Sequence, residues 1–181
     1  MQYTPYYCEE NIWQLAAERR EAGLASTVAL ITNPDRSCVL WNQRAAGSPG
    51  ESLVWDYHVI LIARDPAGAG ERWQVFDLDT HLGAPVDFAD YAAATFAPPG
   101  RLPVRFEPRF RLIPGDEWLA RFASDRAHMR SPDGRYHHPP PPWPLIHREG
   151  APLFLEWLDE DGPGPGRWRS LDELLGEFDP A

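Results

Sequence analysis

Apolar positions in the first 22 residues recur at helical spacing: Ile12, Leu15 and Ala16 fall on one face, with the stem of Arg19 continuing it. This predicts a helix over residues 8–22, with Glu9 and Glu10 at its positive end and Gly23 able to stop it. Residues 27–32 and 37–41 are rich in strand formers, and the turn-prone Asn33-Pro34-Asp35-Arg36 between them predicts a hairpin. A second strand pair is expected over residues 53–63 and 72–78, around the turn Asp65-Pro66-Ala67-Gly68-Ala69-Gly70. Beyond it the pattern predicts a short helix over 87–96 capped by Asp87, and a strand over 110–113. A helix through Trp118, Leu119 and Phe122 follows Pro114-Gly115-Asp116. Residues 124–143 lose the periodicity and include Pro139-Pro140-Pro141-Pro142, which forces an extended left-handed path. Ser170-Leu171-Asp172-Glu173 is a capping-box sequence ahead of Leu174, Leu175 and Phe178. Strand pairs joined this tightly leave no room for crossovers, so the expected class is α+β, an antiparallel sheet flanked by helices.

The chain has 181 residues, 43% of them hydrophobic, enough for a substantial core in one domain over residues 1–181. A net charge of −10 argues against nucleic acid, whose phosphates require a clustered basic surface. All 17 basic residues are arginine, which excludes lysine-dependent chemistry: Schiff bases, P-loop phosphate binding and kinase phosphoryl transfer. The glycine runs at 68–70 and 162–166 read as turns because neither joins a strand to a helix. No apolar stretch is long enough to cross a membrane, and two cysteines without a signal-peptide pattern point to a reducing, intracellular setting.

The two cysteines differ in setting. Cys38 lies in the apolar run Cys38-Val39-Leu40-Trp41, where burial is the simple reading; Cys8 lies where an irregular segment becomes a helix. A helix N-terminus favours a thiolate, and a neighbouring imidazolium would favour it further, which predicts a lowered thiol pKa. Glu9 and Glu10 would oppose that, but successive helical side chains diverge by about 100°, so at least one should face elsewhere. Nucleophilic catalysis also needs a base and a group that orients it. His58 sits in a strand-like, otherwise apolar run, and a turn centred between Ala67 and Gly68 places Asp77 opposite it, with Cβ atoms roughly 4.5–5.5 Å apart. Asp79, two residues on, shares that face and would serve if the loop carried an extra residue.

Each residue also has an ordinary reading: a small buried thiol, a hydrogen-bonded core histidine. Metal binding competes for His128, His137 and His138, but no ligand spacing accompanies them, and they read as solvated loop side chains. The four prolines are either a strut packed on Trp143 and other aromatics or a ligand displayed to another protein.

Five ordered segments then carry a resemblance. They are Tyr7-Cys8-Glu9-Glu10-Asn11-Ile12-Trp13, Val54-Trp55-Asp56-Tyr57-His58-Val59, Phe76-Asp77-Leu78-Asp79-Thr80, Phe122-Ala123-Ser124-Asp125-Arg126-Ala127-His128-Met129, and the proline run. Together they resemble the protein N-terminal glutamine amidohydrolase family. The resemblance implies a monomeric, cytoplasmic thiol enzyme with a papain/transglutaminase-like fold, needing no cofactor or metal. Its substrates would be polypeptides beginning with glutamine, whose side chain it would convert to glutamate with release of ammonia. It also implies Cys8 as nucleophile, His58 as base and Asp77 as the orienting carboxylate. Recognition of a free α-ammonium would need an acceptor, for which Glu9 and Asp125 are the candidates. The rival expectations are a transglutaminase-like acyltransferase, an internal-glutamine deamidase, or a non-catalytic adaptor that displays its prolines.

Overall fold

A computed structural model describes residues 2–64 and 72–179. Among the described residues there are four α-helices: α1 (Cys8–Glu21), α2 (Phe88–Thr95), α3 (Gly115–Arg121) and α4 (Leu171–Phe178). The strands are β1 (Thr27–Thr32), β2 (Cys38–Trp41), β3 (Ser52–Trp55), β4 (His58–Arg64), β5 (Trp73–Phe76), β6 (Val86–Asp87), β7 (Arg109–Pro114) and β8 (Arg167–Arg169). Six of them form one sheet in the order β6-β5-β4-β1-β7-β8, and β2 and β3 form a separate pair. Every pairing is antiparallel. The fold is thus α+β, an open antiparallel sheet with helices on both faces.

The alternation of side chains along β1 and β4 shows why. Val28, Leu30, Val59, Leu61 and Ala63 enter one apolar cluster with Ile12 and Ala16 of α1, Trp118 and Leu119 of α3, and Trp157. Ala29, Ile31, Ile60 and Ile62 enter another, with Phe88 and Tyr91 of α2 and Leu174 and Phe178 of α4. Central strands covered on both faces must be apolar at every position, so they read as continuous runs. The expected boundaries of α1, α2 and α4 hold closely. Asp87 caps α2 through Ala89 N–H, and Ser170 and Glu173 form the capping box of α4.

The first hairpin does not form. β1 pairs with β4 and β7, whereas β2 pairs with β3, so the Asn33-Pro34-Asp35-Arg36 turn passes the chain from one sheet to the other. The expected strand over 53–63 is accordingly two. It breaks at Asp56-Tyr57, where the Thr32 hydroxyl donates to the Asp56 carbonyl at 2.7 Å. β4 and β5 do pair, but the turn expected between them lies outside the described residues. Their register, Leu61 opposite Phe76 and Ile62 opposite Val75, is offset by two positions from the expected one. The short edge strands β6 and β8 lack a long enough run to be legible in sequence.

The glycine-rich stretch at 162–166 is a turn, as expected, and it packs against a buried cation. Arg111 donates to the carbonyls of Trp157 (2.7 Å), Pro165 (2.9 Å), Gly162 (3.2 Å) and Gly164. A Cβ at Gly162 would lie 2.0 Å from the Glu156 carbonyl oxygen, so only glycine lets the loop approach this closely.

Candidate active site

Three segments build the site. The chain enters α1 through Tyr6, which holds a left-handed φ of 68°, and Asn11 clamps the segment: its Oδ1 accepts Thr4 N–H at 3.0 Å and its Nδ2 donates to Thr4 O at 2.7 Å. Those contacts set Cys8 as the first residue of the helix, packed in the same apolar cluster as Val59 at the start of β4.

His58, the first residue of β4, is fully buried and stacks on Trp55 with ring centroids 5.2 Å apart. Its Nε2 lies 2.9 Å from Asp77 Oδ1. An extension of the β4–β5 register would set Asp79, not Asp77, level with His58; the expected register is therefore corrected. The contact forms because the ladder ends at Phe76 and the chain then turns, swinging the Asp77 carboxylate back to the imidazole. Asp77 also accepts Gln43 Nε2 (3.0 Å), the Tyr91 hydroxyl (2.8 Å) and Asp79 N–H (2.9 Å). A carboxylate can only accept, so His58 carries its proton on Nε2 and presents Nδ1 as the basic nitrogen, which is buried and has no hydrogen-bond partner. Gln43 and Tyr91 were not visible as site residues in the sequence, because each reaches Asp77 from a remote element.

Burial alone would lower the proton affinity of His58, but the Asp77 charge and hydrogen bond outweigh it and raise the pKa. Burial would likewise raise Asp77, yet His58, Gln43 and the Asp79 amide hold it low. Cys8 departs from expectation. Burial first, then the Glu9 and Asp79 carboxylates, push its thiol well above the ordinary value, so the helix start does not create a free thiolate. Cys38 follows its simple reading: fully buried, with burial pushing its thiol up to about 12.

Glu9 and Glu10 are both buried and diverge. Glu10 forms a two-pronged pair with Arg126 at 2.6 and 2.7 Å and accepts Trp143 Nε1 at 2.7 Å. Arg126 in turn donates to the Trp143 carbonyl at 3.1 Å. The proline run is therefore tied to α1. Tyr7 OH donates to His138 O (3.1 Å), Tyr6 stacks on His138 at 3.6 Å, and Pro141 is buried. The run is a strut anchored at Pro141, with Pro139, Pro140 and Pro142 left exposed.

Glu9 points toward Cys8: its Oε2 lies 3.7 Å from Sγ and 3.3 Å from Tyr57 OH. His128, expected as a solvated loop side chain, is instead largely buried with Nε2 3.1 Å from Tyr57 OH, because the turn after α3 folds it inward. Asp125 is half-buried, and its Oδ1 accepts Ala127 N–H at 2.8 Å, capping that turn.

Taken together, the start of α1, the start of β4 and the turn after β5 set a thiol, an imidazole and a buried carboxylate at one end of the sheet. The family model described as "N-terminal glutamine amidase" matches residues 3–163. The chain belongs to the N-terminal glutamine amidase family. Relatives named "Protein N-terminal glutamine amidohydrolase" include proteins of Drosophila willistoni and Drosophila melanogaster, each 36% identical over 97% of this chain and 87% of the relative. One from Drosophila ananassae is 37% identical over the same shares. The family match thus spans every site residue described above and stops before β8 and α4.

Among the described residues, one group has the chemistry of a metal site: His58, Asp77 and Asp79 each offer a ligand atom within 4.8 Å of the others. The two carboxylates are engaged by protein donors, Asp77 by His58, Gln43, Tyr91 and the Asp79 amide, and Asp79 by the Tyr3 hydroxyl. The residues therefore fit an orienting network better than an ion cage.

Proposed function

We propose that this chain is a hydrolase that converts the side-chain carboxamide of an N-terminal glutamine to a carboxylate, releasing ammonia, with Cys8, His58 and Asp77 as its catalytic residues. The observation that carries this reading is the His58–Asp77 lock, which leaves a buried Nδ1 without a hydrogen-bond partner at the start of β4, the strand whose Val59 shares an apolar cluster with Cys8. The family match supplies the substrate class.

The raised proton affinity of His58 and the raised thiol pKa make the first step concerted. The thiol proton passes to Nδ1 as sulfur bonds to the carboxamide carbon. Backbone N–H groups at the start of α1 face the developing oxyanion. When the intermediate collapses, the C–N bond breaks and His58 protonates the departing ammonia, leaving a γ-thioester on Cys8. Water, deprotonated by His58, then attacks that carbon; the C–S bond breaks, the thiol regains its proton, and glutamate is released. The acceptor candidates for the α-ammonium are Glu9 and Asp125, both near the site.

The reading extends to the whole protein as one catalytic domain with a papain/transglutaminase-like arrangement, acting as a cytoplasmic monomer on polypeptides and not on nucleic acid. A charge of −10 supports the last point, and among the described residues no helix is long and apolar enough to cross a membrane. The test is ammonia release from a Gln-initiated peptide, with N-acetyl-Gln, Asn-initiated and internal-Gln peptides as controls. Release from the first far above that from each control is expected. Equal release from internal glutamine, or transfer to an added amine in preference to water, would overturn it in favour of a deamidase or acyltransferase.

A further inference from the structure

Beside the triad lies a second polar cluster that its chemistry leaves unused. Glu9 adjoins Cys8 in the chain and is fully buried. Its Oε2 is engaged by Tyr57 and by the Cys8 thiol, but Oε1 has no hydrogen bond and lies 3.8 Å from His128 Nε2. The Tyr57 hydroxyl bridges the group, within reach of both Glu9 and His128. A buried carboxylate oxygen without a donor is costly. Its neighbour Glu10, equally buried, has that cost answered by Arg126 and Trp143.

What would complete the cluster is a cation with hydrogens to donate. In glutamine the α-nitrogen and the carboxamide carbon are four bonds apart, at most roughly 5 Å. A substrate carbon bonded to Sγ therefore has its ammonium within reach of a carboxylate 3.7 Å from that sulfur. Asp125 is spent differently, with Oδ1 on Ala127 N–H. His128 is the one member of the cluster with appreciable solvent access, 18% of its side chain.

Building on the glutamine-terminus reading above, we propose that Glu9 is the specificity-determining acceptor of the substrate's free α-ammonium, held in place by Tyr57, with His128 occupying the Oε1 side until the ammonium displaces it. Burial raises Glu9 to about 8, so the empty site holds a largely protonated acid that becomes a carboxylate when the cation arrives. An internal glutamine brings an uncharged amide nitrogen and a continuing chain, and gains neither the charge nor the fit.

The experiment compares the wild type with Glu9→Gln on a Gln-initiated peptide and its N-acetylated form, reading KM and kcat for ammonia release. Glu9→Gln is expected to raise KM for the free-amine peptide about 10- to 100-fold, the worth of one charge-assisted hydrogen bond, with little change in kcat. The acetylated peptide should be unaffected, so discrimination collapses. Tyr57→Phe, which keeps the carboxylate but loosens it, should move KM in the same direction and less far. Equal losses on both peptides, or a fall in kcat alone, would overturn the assignment. A wild type that turns over neither peptide refutes the glutamine-terminus activity instead. Calorimetric binding of the two peptides to Cys8→Ser, with and without Glu9→Gln, then decides the ammonium question by itself: unchanged preference overturns it, lost preference supports it.

Discussion

A carboxylate ringed by donors holds a proton more weakly than one in water, and Asp77 takes four donors in a fully buried setting. Its charge is what keeps His58 basic. Asp77→Asn preserves the shape but can offer an N–H to Nε2, moving the imidazole proton to Nδ1, where the thiol needs an acceptor. The expected result is a fall of about 10³–10⁴ in kcat with KM little altered, read from steady-state ammonia release. A loss under tenfold would mean that His58 does not depend on this partner. Glu9 gives a second prediction, in stability. Its pKa is raised in the folded chain to about 8 from an ordinary value of about 4.5, so folding retains a proton across that interval. The contribution is fully present below the unfolded value and is lost as pH rises through the folded one. Glu9→Gln removes that dependence, so its Tm should exceed the wild type's by a margin that grows from pH 5 to pH 8. Thermal melts at several pH values check it, and a constant margin would refute the assignment of the charge.

At the scale of elements, the start of α1 and the proline strut are held together by one buried ion pair. Glu10 is fully buried and the Arg126 side chain is 5% exposed, so removing either partner strands the other's charge out of water. Arg126→Met should cost about 3–5 kcal/mol, and the double variant Glu10→Leu/Arg126→Met should recover most of it, as urea denaturation midpoints would show. Two additive losses would mean that the pair is not the coupling. Elements were also where sequence reasoning met its limit. The helices were legible because a 3.6-residue period and a cap are local signals: Asp87 and Ser170 mark their helices by themselves. Strand partnership is not local. Asn33-Pro34-Asp35-Arg36 has good turn chemistry whether it joins a hairpin or passes between sheets, and nothing within residues 27–41 distinguishes the two. The β4–β5 register slipped by two positions for the same reason. It cost little at the site because Asp77 lies past the ladder's end and reaches His58 through a turn. The His58–Asp77 contact was anticipated from a register that the ladder does not keep, and His58 stood out as an imidazole in an apolar run; Gln43, Tyr91 and the inward turn of His128 were not legible, since only tertiary packing brings them in. The thiol's pKa was misjudged in sign because the helix start is a local cue, whereas burial and the carboxylates around it depend on the whole fold.

The whole molecule carries its site at one end of the sheet, where the two apolar clusters meet: Cys8 belongs to the cluster under α1 and α3, whereas Trp55, on which His58 stacks, packs against the other, and Tyr91 ties that second cluster to the site. That residue packs among Phe88 and Phe96 in the cluster under α2 and α4 while its hydroxyl reaches Asp77. The same cluster is closed by Leu171, Leu174 and Phe178, and β8 pairs along β7, all beyond residue 163, where the family match ends. Burying three such side chains is worth about 5–9 kcal/mol, comparable with the entire stability of an ordinary domain, about 5–15 kcal/mol. Deleting residues 166–181 should therefore abolish a cooperative urea transition or leave only a small residual stability, even though every proposed catalytic residue remains. The milder Phe178→Ala should lose about 3–5 kcal/mol and keep measurable turnover, because the ring contacts of Phe178 are with Phe88 and Trp73, under α2, and not with the proposed catalytic residues. If the deletion variant unfolds cooperatively at the wild-type midpoint, the closing helix is an accessory and the far face does not support the site. If it is destabilised while Phe178→Ala retains its kcat, the C-terminal helix acts through the core that holds Tyr91, and through it Asp77, in place.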